Sequence, residues 1–203
     1  MSKKVLIMNT GGTLASVVKE HGLTPGLTAE SMERELHIVA GEAQLTMQDF
    51  SSLDSANIFP EDWAHLAEAI SRQREFFDGI VVIHGTDTLA YTSSMLSYML
   101  QNINIPVVIT GSQLSISNPV ADAMENLRCA IYMAQSGCPG VFVAFNRKGM
   151  LGCRALEAGV IQAYDMTSEA AVTKLMWVLG QTEDPQEIRE YFHLSLCGEV
   201  TIP

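Results

Sequence analysis

Four short apolar runs, residues 5–8, 80–83, 107–109 and 141–145, are β-rich and show no alternation of apolar and polar side chains. A strand reads this way when both of its faces are covered, as happens inside a parallel sheet. Helical patterns lie between the runs. In 60–77, Trp63, Leu66, Ala67, Ile70 and Phe77 share one face, and Pro60 followed by Glu61 and Asp62 marks the helix start. The stretches 92–100 and 121–134, the latter stopped by Gly137, supply two more helices. This alternation predicts an α/β fold with an open, doubly wound, parallel Rossmann-like sheet. The Gly- and Pro-rich stretch 22–30 predicts a loop leading into a short helix near 32–36, and Trp63, Met95 and Met99 fall at core spacing.

The tail is written differently. From Thr167 onward come two helical patterns and no strong strand: 168–180, with Val172, Leu175, Met176 and Leu179 at a period near 3.6, and 184–196, opened by Asp184, Pro185 and Glu187. The reading is therefore an α/β domain over 1–155 and a helical tail over 156–203, which 203 residues suffice to build. Twelve basic against twenty-three acidic residues leave a net charge of −11, a field that repels phosphate backbones and anionic lipid. Nucleic-acid and membrane-surface partners are disfavoured accordingly. The apolar run behind MSKK is too short for a signal peptide, and no stretch has the length of a membrane span. Cys129, Cys138, Cys153 and Cys197 form no CxxC pair, so free thiols in a cytoplasmic protein are expected, with no metal or cofactor.

In open α/β sheets, ligands sit beyond the carboxyl ends of the strands. Two polar clusters stand there: Thr10-Gly11-Gly12-Thr13 after the first run, and His84-Gly85-Thr86-Asp87-Thr88 after the second. A third candidate, residues 52–57, precedes the Trp63 helix. The GGT turn lacks both G-x-G-x-x-G and G-K-[ST], so neither nucleotide fingerprint is present. A plain tight turn and the seat of a nucleophile both remain. The second cluster favours the nucleophile, since a hydroxyl beside a carboxylate, Thr86-Asp87, is what activation of a neighbouring threonine or water needs. Glycines allow close approach to backbone N–H groups that can stabilise an oxyanion. Because the runs 5–8 and 80–83 both end in such clusters, they are expected to be neighbouring parallel strands that gather Thr13 and Thr86 in one pocket. His84 ends a buried strand and reads as a satisfied structural histidine rather than a base.

TGGTLAS and IVVIHGTDTLAYTSSML together resemble the two signature motifs of the bacterial L-asparaginases, especially the cytoplasmic type I enzymes. The resemblance continues through LDSANIFPEDWAHLAEAI and VVITGSQL to VAFNRKGMLGCRA, covering most of residues 1–155. It implies that Thr13 attacks the side-chain amide of L-asparagine to form an acyl-enzyme that water hydrolyses, with L-glutamine as the second candidate substrate. Thr86 and Asp87 match the family's second threonine and its acid. Asp54 and Ser55 match the loop holding the substrate's α-carboxylate and α-amine, with Gly12, Ala56, Thr86 and Asp87 also lining the subsite.

Three departures from the family pattern stand out. Leu23 falls near the point where a lid tyrosine is common, and Ala56 and Asn57 replace polar and acidic residues of the substrate loop. After GCRA the resemblance calls for a lysine completing a threonine-lysine-aspartate relay; Glu157 stands there, and Lys148 is the nearest lysine in sequence. The stretch from Leu156 onward is instead similar to the far end of the family's C-terminal domain. The resemblance thus implies a junction near Ala155–Leu156, loss of most of the domain that builds the family's dimer, and an impaired amidohydrolase. A non-catalytic amino-acid-binding module, and a fragment whose tail mediates association as a homo-oligomer, are the competing expectations.

Overall fold

The computed structural model describes residues 2–19, 22–25, 36, 41–114 and 122–155. Eight strands and three α-helices are built from them: β1 (Lys4–Gly11), β2 (Ser16–Lys19), β3 (Gly22–Pro25), β4 (Gln44–Leu53), α1 (Pro60–Gln73), β5 (Gly79–Ile83), α2 (Leu89–Met99), β6 (Pro106–Thr110), α3 (Ala123–Ala134), β7 (Gly140–Phe145) and β8 (Lys148–Leu151). Six strands form one sheet in the order β4-β1-β5-β6-β7-β8, and β2 pairs with β3 in a separate hairpin. Every pairing in the large sheet is parallel except β7 with β8. All four apolar runs are strands, and the first two are parallel neighbours, with Val5 opposite Gly79 and Asn9 opposite Ile83.

The unalternated runs are explained by burial on both faces. Val5, Ile7, Val81, Ile83 and Val108 point to a cluster completed by Leu127, Ala130 and Ile131 of α3. Leu6, Met8, Ile80, Val82 and Val107 point the other way, to Leu66 and Ile70 of α1 and Leu89 and Leu96 of α2. Helices on both sides make the sheet doubly wound. Each fully buried aliphatic side chain contributes about 1.5–3 kcal/mol of transfer free energy. α1 begins as its sequence indicates: Pro60 occupies the first turn, and the Asp62 carboxylate accepts the Phe59 N–H at 2.8 Å. At the opposite edge of the sheet, Asp78 accepts the Lys4 N–H at 2.8 Å and meets Lys3 at 3.2 Å. The Lys4 hydrogen bond, ahead of the Lys3 charge, holds the Asp78 carboxyl below its ordinary range.

Several expectations need correction. Gly22–Pro25 is a strand rather than loop, because Leu23 pairs with Val18 and Thr24 with Val17 across an antiparallel hairpin. α1 stops at Gln73, so Phe77 packs on the core from the following turn instead of from the helix. Met99 is 40% exposed and does not belong to the core, and Met95 is only half-buried. The sheet also has an antiparallel edge strand, β8, because the two-residue turn Asn146-Arg147 reverses the chain with both residues at positive φ. The rest of the 22–30 stretch, the helix near 32–36 apart from the buried Leu36, and the whole tail 156–203 with Glu157, Cys197 and both tail helices lie outside the described residues. Among the described residues no helix is long and apolar enough to cross a membrane.

Candidate active site

Three adjacent strands, β4, β1 and β5, end on the same edge of the sheet, and each runs into one of the polar clusters. β1 passes through Gly11 and Gly12, at φ +105° and +84°, before Thr13 opens a short 3-10 turn, Thr13–Ala15. Two side chains hold this exit. Asn9 accepts the Gly11 N–H at 3.1 Å and donates to Asp49 on β4 at 2.9 Å. The Thr10 hydroxyl donates to the Ile83 carbonyl of β5 at 2.7 Å, while Ser51 donates to the Thr10 carbonyl at 3.1 Å. Both neighbouring strands therefore grip the first motif.

The decisive geometry is the lack of room for a Cβ at two glycines. A Cβ on Gly12 would stand 2.5 Å from the Gly85 nitrogen, and a Cβ on Gly85 would stand 2.3 Å from the Ser55 Oγ. These distances lie inside any real carbon contact, so the GGT turn, the HGTDT turn and the Ser55 turn meet only because both positions are glycine. The Thr88 hydroxyl closes the group by donating to the Ser55 carbonyl at 2.9 Å. Thr13 and Thr86, one residue beyond each glycine, are half-buried; Asp87, Asp54 and Ala56 are exposed, and Ser55 is buried. The fold thus brings Gly12, Thr13, Ser55, Thr86 and Asp87 to a single edge. Asp54 sits there too, with one carboxylate oxygen accepting the Ala56 N–H at 3.1 Å and capping its own turn.

His84 is 1% exposed and fully engaged. Its Nδ1 lies 2.7 Å from the Gly85 carbonyl and its Nε2 3.0 Å from the Thr92 Oγ1, which in turn accepts the Trp63 Nε1–H at 2.8 Å. This sequence of bonds has one consistent sense: Nδ1–H donates to the carbonyl, the Thr92 hydroxyl donates to Nε2, and the indole donates to the hydroxyl. Burial pushes the imidazole pKa down, so the ring is neutral. It is a structural histidine, as its position at a buried strand end indicates. Beneath the Ser55 turn, Thr10, Phe50, Ser51, Asp62 and His84 help line a cavity of about 30 Å³. That space holds a water molecule or so, not an amino acid, which leaves a substrate the open edge above.

Sequence reasoning missed β4 and Ser51 and named Thr88 in its cluster without a role; together they carry and fix the 52–57 loop. β4 alternates between exposed and half-buried residues and is largely polar, as an edge strand can be, so it lacked the signal that marked the four central strands. The described residues contain no group of His, Cys, Asp and Glu able to hold a metal, and Cys129 and Cys153 are free thiols.

An α/β sheet whose first strand ends in a glycine-threonine turn, pressed against a Gly-Thr-Asp turn on its neighbour, defines a small class of proteins. The family model for the asparaginase N-terminal region matches residues 4–178, and the chain belongs to the asparaginase family. The chain is 30% identical over 325 aligned positions to the L-asparaginase of Thermococcus kodakarensis, covering 98% of this chain and 99% of that one. With 203 residues to set against 325 positions, at least 122 of those positions face no residue here. It is also 36% identical to L-asparaginase 1 of Escherichia coli strain K12, over 77% of this chain and 48% of that one. Among solved structures, it resembles L-asparaginase I of Vibrio cholerae with a TM-score of 0.69 and 28% identity, over 77% of this chain and 48% of that one. The chain spans about half the length of these last two.

Proposed function

We propose that this chain is an asparaginase-type amidohydrolase, converting L-asparagine and water to L-aspartate and ammonia, and that it works slowly as written. The observation that supports this is the packing of Gly12 on Gly85, which sets the two motifs side by side. Thr13 Oγ attacks the amide carbon, and its proton passes through the Thr86–Asp87 pair to the leaving nitrogen. Backbone N–H groups at the strand ends stabilise the oxyanion, the C–N bond breaks and ammonia departs. Water then attacks the Thr13 ester, releasing L-aspartate and restoring the hydroxyl. Asp54, Ser55 and Ala56 present the loop that holds the substrate's α-carboxylate and α-amine, with Asp87 facing the amine. L-Glutamine is the second substrate to be measured. A cytoplasmic setting agrees with the free thiols.

The reason for slowness is electrostatic. A lysine beside Asp87 and Thr86 would favour the deprotonated hydroxyl, and Glu157 at the matching sequence position supplies the opposite charge. Lys148 does not replace it. It opens β8, three strand positions from β5 in the sheet order, or about 14 Å at the usual strand spacing. We read the unmatched positions in the Thermococcus alignment as most of a second domain, lost at a junction near residue 155, with 1–155 as the α/β domain and 156–203 as the helical tail. Those features favour one other reading, a binding module that holds an amino acid at the same edge without turning it over. Rapid acid quenching separates the two: asparagine incubated with the chain should leave an aspartyl ester on Thr13 by peptide mass mapping, absent in Thr13→Ala. Thermal stabilisation by L-aspartate with no ester and no ammonia would establish the binding module instead.

A further inference from the structure

α2 has the sequence LAYTSSMLSYM, without one charged side chain, yet one face of it is open to solvent. Tyr91 is 58% exposed, Tyr98 69% and Met99 40%, with Met95 half-buried between them. At 100° per residue, positions 91, 95, 98 and 99 fall within a stripe about 100° wide. A surface helix normally turns charges toward water; an uncharged one with an apolar stripe is a helix awaiting cover. Two neighbours bound the stripe. On one flank is α1, whose Trp63 bonds to Thr92. On the other is the 3-10 turn Gly152–Arg154, whose Gly152 carbonyl accepts the Ser93 and Ser94 hydroxyls at 2.9 and 3.4 Å.

That second flank is where the described chain ends. Ala155 is 4% exposed and packs in the core cluster on the α2 side of the sheet, so the following 48 residues start beside the stripe. The sequence pattern of the tail offers one matching surface: Val172, Leu175, Met176 and Leu179, within 168–180. A 13-residue helix is about 20 Å long against about 16 Å for α2. The 12 residues between Ala155 and Ser168 reach at most about 40 Å when extended, ample to bring the two together.

We propose that residues 168–180 of this same chain dock as a helix on the Tyr91/Met95/Tyr98 face of α2. The tail then covers the apolar stripe of the first domain and buries its own. This does not depend on whether the site is catalytic.

The test places p-benzoylphenylalanine at Tyr98 in the full chain, with the same probe at Tyr132 as control. Both residues are more than half exposed, and Tyr132 lies on α3, across the sheet. Irradiation of purified protein should link position 98 to a peptide within 168–180 in a product of monomer mass, while position 132 gives no such link. Tyr98→Glu should also speed tryptic cleavage after Lys174 by about tenfold or more, since cleavage tracks the population of the undocked tail. Links between two chains, showing that a second copy covers the stripe, would overturn the proposal. So would the absence of any link to the tail, or Lys174 cut equally fast in both proteins.

Discussion

The same edge of the sheet carries two turns made in opposite ways. At the ends of β4, β1 and β5, the Gly85 backbone leaves no room for a Cβ on Gly12, and the Ser55 side chain leaves none on Gly85. At the end of β7, the chain reverses through Asn146 and Arg147, both at positive φ yet neither a glycine, with Arg147 paired in the open to Glu125 at 2.6 Å. The first turn is constrained by what lies against it; the second only by its own dihedral angles. Close approach is what a site needs and what a simple reversal does not, so glycine placement separates the candidate site from the merely connecting turn on that edge.

The largest effect expected from this contrast is at Gly12. Gly12→Ala would put a Cβ 2.5 Å from backbone, at a φ of +84°. We expect a loss of about 3 kcal/mol or more in urea unfolding, together with loss of L-aspartate binding. A stable Gly12→Ala protein that still binds would show that the two motifs do not need to touch. Next comes the support behind the Gly85 turn. Thr92→Val removes the hydroxyl that donates to His84 and accepts from Trp63, leaving a buried imidazole nitrogen and the N–H of a half-buried indole short of partners, and should cost about 1–3 kcal/mol.

The histidine also gives the site end a pH signature that the hairpin end lacks. Burial sets the folded pKa of His84 below 6.5, so the unfolded chain takes up its proton first as pH falls. The stability that comes from keeping this ring neutral is whole above about pH 6.5 and is lost progressively below it. Between pH 6.5 and 5, the wild type should lose up to about 1.4 kcal/mol per pH unit more than His84→Gln, measured by urea titration at each pH. Parallel pH profiles for the two proteins would contradict a buried neutral ring. The smallest effect belongs to the hairpin. Arg147→Gly relieves the positive φ, loses an exposed ion pair and adds backbone entropy to the unfolded chain, so stability should change by less than about 1 kcal/mol.

The contrast also explains how much could be read from sequence. The runs 80–83 and 107–109 announce themselves because β5 and β6 are buried on both faces, and burial dictates residue type directly. The clusters behind the runs 5–8 and 80–83 are legible because a half-buried threonine or an exposed aspartate after such a run has no packing role to explain it. β4 stays hidden because an edge strand is free to be polar, and with it stays hidden the element that delivers Asp54 and Ser55. Met99 and Gly22–Pro25 mislead for a related reason. Spacing along one element says which residues share a face, but not whether anything covers that face or which segment pairs with it.

We propose that the edge formed by β4, β1 and β5 is an asparaginase site short of its cation. Steady-state ammonia release from L-asparagine by the purified full chain, beside an intact L-asparaginase of the family and beside Thr13→Ala, tests it most directly. Release should depend on Thr13 and run about 10²–10⁴-fold below the intact enzyme, the usual loss when a proton relay gives up a member. Release at the intact enzyme's rate, or release that survives Thr13→Ala, would contradict it.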